Sequence, residues 1–259
     1  MSAGRGVVYL VGAGPGDPGL LTRRGAEVLG KADVVVYDHL ANSRLLDLAP
    51  TAATLICAGK SSGHCTLNQD EINAVLLEHG LAGKTVVRLK GGDPLVFGRG
   101  AEEALFLIHH GVRFEIVPGV TAGVGATAYA GIPVTHRSTA SAVAFVTGHG
   151  DPETEPSPDN GHPAKPRLDW QALAKFPGTL VVYMGVTHLA SICRTLVKGG
   201  KDPATPCAVV QSGCLPAQRV AEGTLATIAE IVVRQKVRPP ALLVVGEAVS
   251  HRESLLWYE

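Results

Sequence analysis

The sequence predicts an α/β protein of two domains built on largely parallel or mixed sheets. Three observations predict it: short β-branched apolar runs recur, amphipathic helical patterns lie between many of them, and glycines cluster directly after the runs. The first series of runs covers 7–11, 33–37, 54–58, 85–89 and 114–117. The second covers 142–147, 179–184, 207–210 and 241–245. Several are apolar throughout rather than alternating, as expected of strands covered on both faces. Helical periodicity marks 20–31, 68–80, 100–111 and 189–200. Asn68 with Glu71 three residues on reads as a capping box. Gly80, Gly111 and Gly199 stand where these helices should stop. The motif VPGVT interrupts the pattern at 117–121, which predicts domains 1–118 and 119–259. Within the second, 151–167 carries five prolines, Pro152, Pro156, Pro158, Pro163 and Pro166, and reads as an exposed loop.

Composition narrows the function. The 259 residues are 46% hydrophobic and only 18% charged, which supplies core material and excludes disorder as the dominant state. Lys+Arg and Asp+Glu are each 23, so no net charge draws the chain to nucleic acid or an acidic membrane. Aromatics at 5% argue against stacking platforms for single strands. The five cysteines form no CxxC pair, so neither a disulfide framework nor a thiolate zinc site is expected. His64, His136 and His149 lie near the glycine loops but show no ligand spacing, and no metal is assigned. Cys65 reads as an incidental thiol. The N-terminus has no apolar h-region, and no run approaches the roughly 18 residues of a membrane span. The expectation is a cytoplasmic protein with neither nucleic acid nor membrane as partner.

The 31 glycines concentrate in VGAGPGDPG, LKGGDPLVFGRG, PGVTAGVG, TGHG, YMG and QSG. Ligands of open α/β sheets bind beyond the carboxyl ends of the strands, and glycine there permits positive φ and close backbone approach. Loops from both halves suggest one ligand cleft. A dinucleotide reading fails on its own terms. Gly12 and Gly14 fit GxGxxG, but the third position is Asp17, which repels phosphate. Pro15 and Pro18 remove N–H donors that a pyrophosphate needs. The segment GKSS at 59–62 mimics only the tail of a P-loop. A ligand without phosphates fits better.

Those same residues carry a specific resemblance. VYLVGAGPGDPGLLTRRGAEVLGKADVVVYDHL, VVRLKGGDPLVFGRGAEE and VPGVTAGVGATAYAGIPVTHR closely resemble the tetrapyrrole methylases, the class III S-adenosylmethionine-dependent methyltransferases. The likeness continues through VYMG, QRVAEGTL and RPPALLVVGEAV, so it covers nearly the whole chain. It implies two α/β domains with the cofactor S-adenosylmethionine in the cleft between them, and a homodimer. It implies methylation of uroporphyrinogen III on rings A and B to precorrin-2, the branch point toward sirohaem and cobalamin. Residue by residue, it places Pro15, Gly91, Gly92, Asp93, Val96, Thr121, Ala122, Met184, Gly213 and Ala241 at the cofactor. Asp38 corresponds to a residue proposed as proton acceptor and Lys60 to one proposed as proton donor. Arg99, Glu102 and Arg137 match positions that hold substrate or move its proton. Two departures stand out: Cys214 where relatives commonly have Thr, and His39 where Arg is common. The length leaves no room for a fused dehydrogenase–ferrochelatase, so a stand-alone methylase is expected.

The chemistry suits these residue types. The sulfonium activates its own methyl group and the reduced macrocycle is an electron-rich carbon nucleophile, so orientation should dominate. A proton must leave as double bonds shift, which gives Asp38 a task. Eight substrate carboxylates call for cations, and Arg binds carboxylate bidentately. Each residue also has a plain reading. Asp38 can be a turn residue, Lys60 a solvated lysine, Arg99 the partner of Glu102, Met184 core packing, and Asp93 a brace for its own turn. Three further functions stay open: methylation of a later precorrin in cobalamin synthesis, non-catalytic binding of cofactor or tetrapyrrole, and hydride transfer. The intact GPGDPGLLT, DHL, GKSSGH and THR set favours the first substrate over a later precorrin. Retention of Asp38, Lys60 and Arg99 together disfavours a mere binder, and the failed fingerprint disfavours hydride transfer.

Overall fold

The computed structural model describes residues 6–59, 67–150, 152–153 and 168–258. The chain forms two compact units that divide between Gly125 and Ala126.

The first unit holds β1 (Val7–Gly12), α1 (Arg23–Leu29), β2 (Val34–Tyr37), β3 (Thr54–Cys57), α2 (Gln69–Leu81), β4 (Thr85–Lys90), α3 (Gly100–His109) and β5 (Arg113–Val117). Its strands run in the order β3-β2-β4-β1-β5, all parallel. Side chains alternate across a strand, so each apolar run serves two cores. Val8, Leu10, Val34, Val36 and Val86 pack on one face with Ile72 and Leu76 of α2 and Leu107 of α3. Val11, Val35, Val87 and Leu89 pack on the other with Val28 and Leu29 of α1 and with Leu45. Each such side chain contributes about 1.5–3 kcal/mol on burial.

Local chemistry starts and stops the helices. Thr22 Oγ1 accepts from Gly25 N at the start of α1. Asp17 caps the short 3-10 turn Pro18–Leu20 by accepting from Gly19 N at 2.7 Å. The capping box forms as expected: Asn68 Oδ1 accepts from Glu71 N and Glu71 Oε2 from Asn68 N. Gly80 does not stop α2. It lies inside the last turn, where a Cβ would stand 2.7 Å from Val112 Cγ1, and the reversal falls on Gly83 at φ +81°. Gly111 at φ +68° follows α3 as anticipated.

α4 (Ala122–Tyr129) carries the chain across the division. The second unit continues with β6 (Val143–Thr147), α5 (Trp170–Ala174), β7 (Thr179–Tyr183), α6 (Leu189–Lys198), β8 (Pro206–Gln211), β9 (Arg219–Thr224), α7 (Ile228–Arg234), β10 (Ala241–Val245) and α8 (Arg252–Leu255). Its sheet order is β6-β7-β10-β8-β9. Only β6 and β7 run parallel; the other pairings are antiparallel. The largely parallel alternative therefore holds for the first unit alone. The β8–β9 pair is antiparallel because the short 212–218 connection joins the two strands directly, with no crossover helix. Leu180, Val182, Val209, Leu243 and Val245 pack with Ile192 and Leu196 of α6 and Ile228 of α7.

Candidate active site

The carboxyl end of the first sheet has a topological crevice. The chain leaves β1 toward β2 but leaves β4 toward β5, and ligands of open α/β sheets bind where such connections diverge. The loops after β1 and β4 are stitched together there. Gly14 N donates to Gly92 O at 3.1 Å and Gly92 N to Gly14 O at 2.8 Å. The end of β1 beside this contact has no room for a side chain. A Cβ on Gly12 would lie 2.6 Å from Gly119 N and from Gly92 O. Asp93 is a double brace: Oδ1 accepts from Leu95 N at 2.8 Å and Oδ2 from Gly119 N at 3.0 Å. It ties its own turn to the 118–121 loop that leads into α4. Gly92, at φ +68°, faces Thr121 and Ala122, whose nearest atoms would be 3.7–3.8 Å from an added Cβ. Pro15, Gly91, Gly92, Asp93, Val96, Thr121 and Ala122 thus belong to one set of adjoining loops. These loops bring mainly backbone and small residues to the crevice, so close approach of a ligand to the main chain is possible there.

Beside these loops lies a charged cluster. Asp38 follows β2, and its side chain is 28% exposed. Arg88 Nη2 donates to Asp38 Oδ1 at 2.5 Å, and Arg88 Nη1 donates to Val36 O at 3.4 Å. Arg88 Nε and Lys90 Nζ converge on Glu103 Oε1 at 3.2 and 2.9 Å. Gln69 Nε2 of α2 joins them on the same oxygen at 3.2 Å. Glu103 is wholly buried, with Arg88 and Lys90 at 2–3% exposure. Burial, then the neighbouring Arg88 guanidinium, pulls the Lys90 ammonium below the ordinary lysine range; Glu103 and Asp38 oppose that pull. Sequence reasoning missed Arg88, Lys90 and Glu103. The signal was available: Arg88 and Lys90 stand in phase with Val86 on a strand covered on both faces, so both had to be buried and matched by an anion.

Arg99 opens α3 in the left-handed region at φ +59° and pairs with Glu102, Nη2 to Oε2 at 2.6 Å, with both side chains more than half exposed. The structure therefore shows the ion pair that the spacing allowed. Lys60, His64 and Cys65 lie outside the described residues.

In the second unit, register brings three predicted cofactor residues to one sheet end. Leu242 pairs with Tyr183 and Ala241 with Gln211, so Met184, Ala241 and the Gly213 turn neighbour one another. Met184 is half exposed at φ +56°, which argues against plain core packing. Ser212 and Cys214 flank Gly213 at φ +50° and +61°. Three non-glycine residues in this region at one sheet end mark a site whose shape is held by its surroundings. A Cβ on Gly213 would meet Ala126 Cβ at 2.2 Å. Cys214 is buried and its N–H donates to Gln218 Oε1 at 2.9 Å, so the turn is fixed through backbone and not through a Thr hydroxyl. Arg137 is exposed on a turn closed by His136 and Ala140. Among the described residues, no helix is long and apolar enough to cross a membrane, and no group of three or more His, Cys, Asp or Glu could hold a metal.

The glycine-stitched strand ends are what the motifs implied; the buried ion cluster beside them is not. The family model described as Tetrapyrrole (Corrin/Porphyrin) Methylases matches residues 7–229, and the chain belongs to that family. It is 50% identical over 249 residues to the S-adenosyl-L-methionine-dependent uroporphyrinogen III methyltransferase of Methanosarcina barkeri, across 96% of this chain and 94% of that one. It is 48% identical to the uroporphyrinogen-III C-methyltransferase of Bacillus subtilis, across 98% of this chain, and spans about half (50%) of that relative's length. A solved uroporphyrin-III C-methyl transferase of Thermus thermophilus, complexed with S-adenyl homocysteine, is 43% identical with a TM-score of 0.76, across 94% of this chain and 98% of that one.

Proposed function

We propose that this chain is a uroporphyrinogen-III C-methyltransferase, methylating C-2 and C-7 on rings A and B through precorrin-1 to precorrin-2 and releasing S-adenosylhomocysteine. One observation carries the reading: a partly exposed carboxylate, Asp38, anchored on a buried arginine beside glycine-stitched loops. The cofactor supplies a sulfonium-activated methyl group. Pro15, Gly91, Gly92, Asp93, Val96, Thr121, Ala122, Met184, Gly213 and Ala241 bind and orient it. Asp38 takes the proton that the macrocycle sheds after its carbon has bonded the methyl group, and Lys60 serves as proton donor. Arg99 and Arg137 hold substrate carboxylates, with Glu102 setting the pose of Arg99. The enzyme works as a homodimer, and its product stands at the branch point toward sirohaem and cobalamin.

The test is anaerobic incubation with uroporphyrinogen III and S-adenosylmethionine, read by mass spectrometry. The expected result is a cofactor-dependent gain of two methyl groups. No methylation with cofactor binding intact by calorimetry transfers the assignment to a later precorrin; loss of both favours the non-catalytic reading.

A further inference from the structure

The cluster beneath Asp38 is more elaborate than a counter-ion requires. Arg88 grips Asp38 with one edge of its guanidinium and Glu103 with another, while Nη1 rests on Val36 O. A guanidinium is a rigid planar fork, so fixing Nε and Nη1 dictates where Nη2 points. Glu103 receives three donors on Oε1, and its buried Oε2 has no partner among the described residues. Buried ion networks are poor stabilisers against apolar packing. Stability alone does not account for this arrangement. As ionised groups, Arg88 and Lys90 balance Asp38 and Glu103 charge for charge. Proton uptake at Asp38 therefore leaves a net positive cluster with little solvent to screen it.

We infer that Glu103 and Lys90 are positioning residues for Asp38: Glu103 fixes the shared Arg88 fork, and Lys90 sets the charge balance against which Asp38 accepts its proton. The inference rests on the reading of Asp38 as proton acceptor. Arg88 and Lys90 of β4 and Glu103 of α3 are the charged groups of the cluster. Gln69 and Asn73 of α2 are neutral members beside it, Tyr37 and His39 flank Asp38 in the chain, and Cys57 ends the adjoining strand. Lys60 lies outside the described residues.

Opposite charge changes give the test. Glu103→Gln leaves Asp38 facing two cations without a buried anion, which favours its carboxylate, so the acidic limb of kcat/KM for uroporphyrinogen III moves to lower pH. Lys90→Met removes a cation, disfavours the carboxylate and moves the limb to higher pH, each by about one pH unit. The double variant returns the limb toward wild type and leaves no single charge buried alone. Glu103→Asp keeps the charge but withdraws it from Arg88; kcat falls roughly tenfold or more with cofactor affinity and limb position kept. It serves as the decisive variant where a single neutralisation prevents folding. Limbs that stay fixed or move together, or wild-type kcat in Glu103→Asp, overturn the inference. Asp38→Asn separates the two levels. Wild-type turnover there removes the proton-acceptor reading itself. Lost turnover there, with Glu103 and Lys90 variants unchanged in limb and kcat, removes the positioning role alone.

Discussion

Asp93 and Arg99 sit six residues apart and illustrate two kinds of proposed site residue. Asp93 spends both oxygens on backbone N–H groups, so its contribution to a ligand runs through loop shape. Charge-assisted hydrogen bonds of this kind contribute about 1.5–3 kcal/mol each. Among the described residues, the Arg99 side chain pairs with Glu102, in an exposed pair worth roughly 0–1 kcal/mol. The two alanine variants should therefore separate. Asp93→Ala is expected to weaken S-adenosylmethionine binding about tenfold or more by calorimetry. Arg99→Ala should keep cofactor affinity and thermal stability while suppressing methylation. Equal cofactor affinity in both variants contradicts the brace; wild-type turnover in Arg99→Ala contradicts a substrate role. Asp93 was legible as a motif residue, but its reach to Gly119 was not, because that partner is 26 positions away.

At the scale of elements, sequence pattern and structure agree best where local chemistry suffices. The capping box of α2 is written in Asn68 and Glu71, and both reciprocal bonds form. Asn68→Ala should lower stability by about 1 kcal/mol, seen as a lower denaturant midpoint at unchanged slope. An unchanged midpoint would show that the cap carries no weight. Local pattern fails for β9, where Arg219, Glu222 and Gly223 break any apolar run in RVAEGT. That strand exists because β8 offers it an edge, with Val209 opposite Ala221 and Val210 opposite Val220. It fails also for α4, whose small residues AGVGATAY give no amphipathic stripe.

For the whole molecule, the exposed apolar surface is the open quantity. Leu105 and Ile108 on α3 are 57% and 54% exposed, and Leu95 and Phe97 in the loop before it are also exposed. Such surface suits coverage by a second copy, as the proposed homodimer requires. Light scattering of the purified protein should return twice the chain mass. A monomer at all concentrations tested would leave this surface without that explanation.

The sequence by itself determined the α/β class, the strands of the parallel sheet, the helix cap and the glycine loops. All of these rest on periodicity, capping and φ preference, which act over a few residues. Tertiary structure alone decided which way the second sheet's strands run. It also decided that Asp93 braces a distant loop, and that Arg88, Lys90 and Glu103 meet under Asp38. Val36 lies beside Arg88 only through the β2–β4 register, and Glu103 arrives on a helix packed over that face. A buried charge needs its counter-charge in space, and spatial proximity across strands and helices is set by the folded sheet, not by adjacency along the chain.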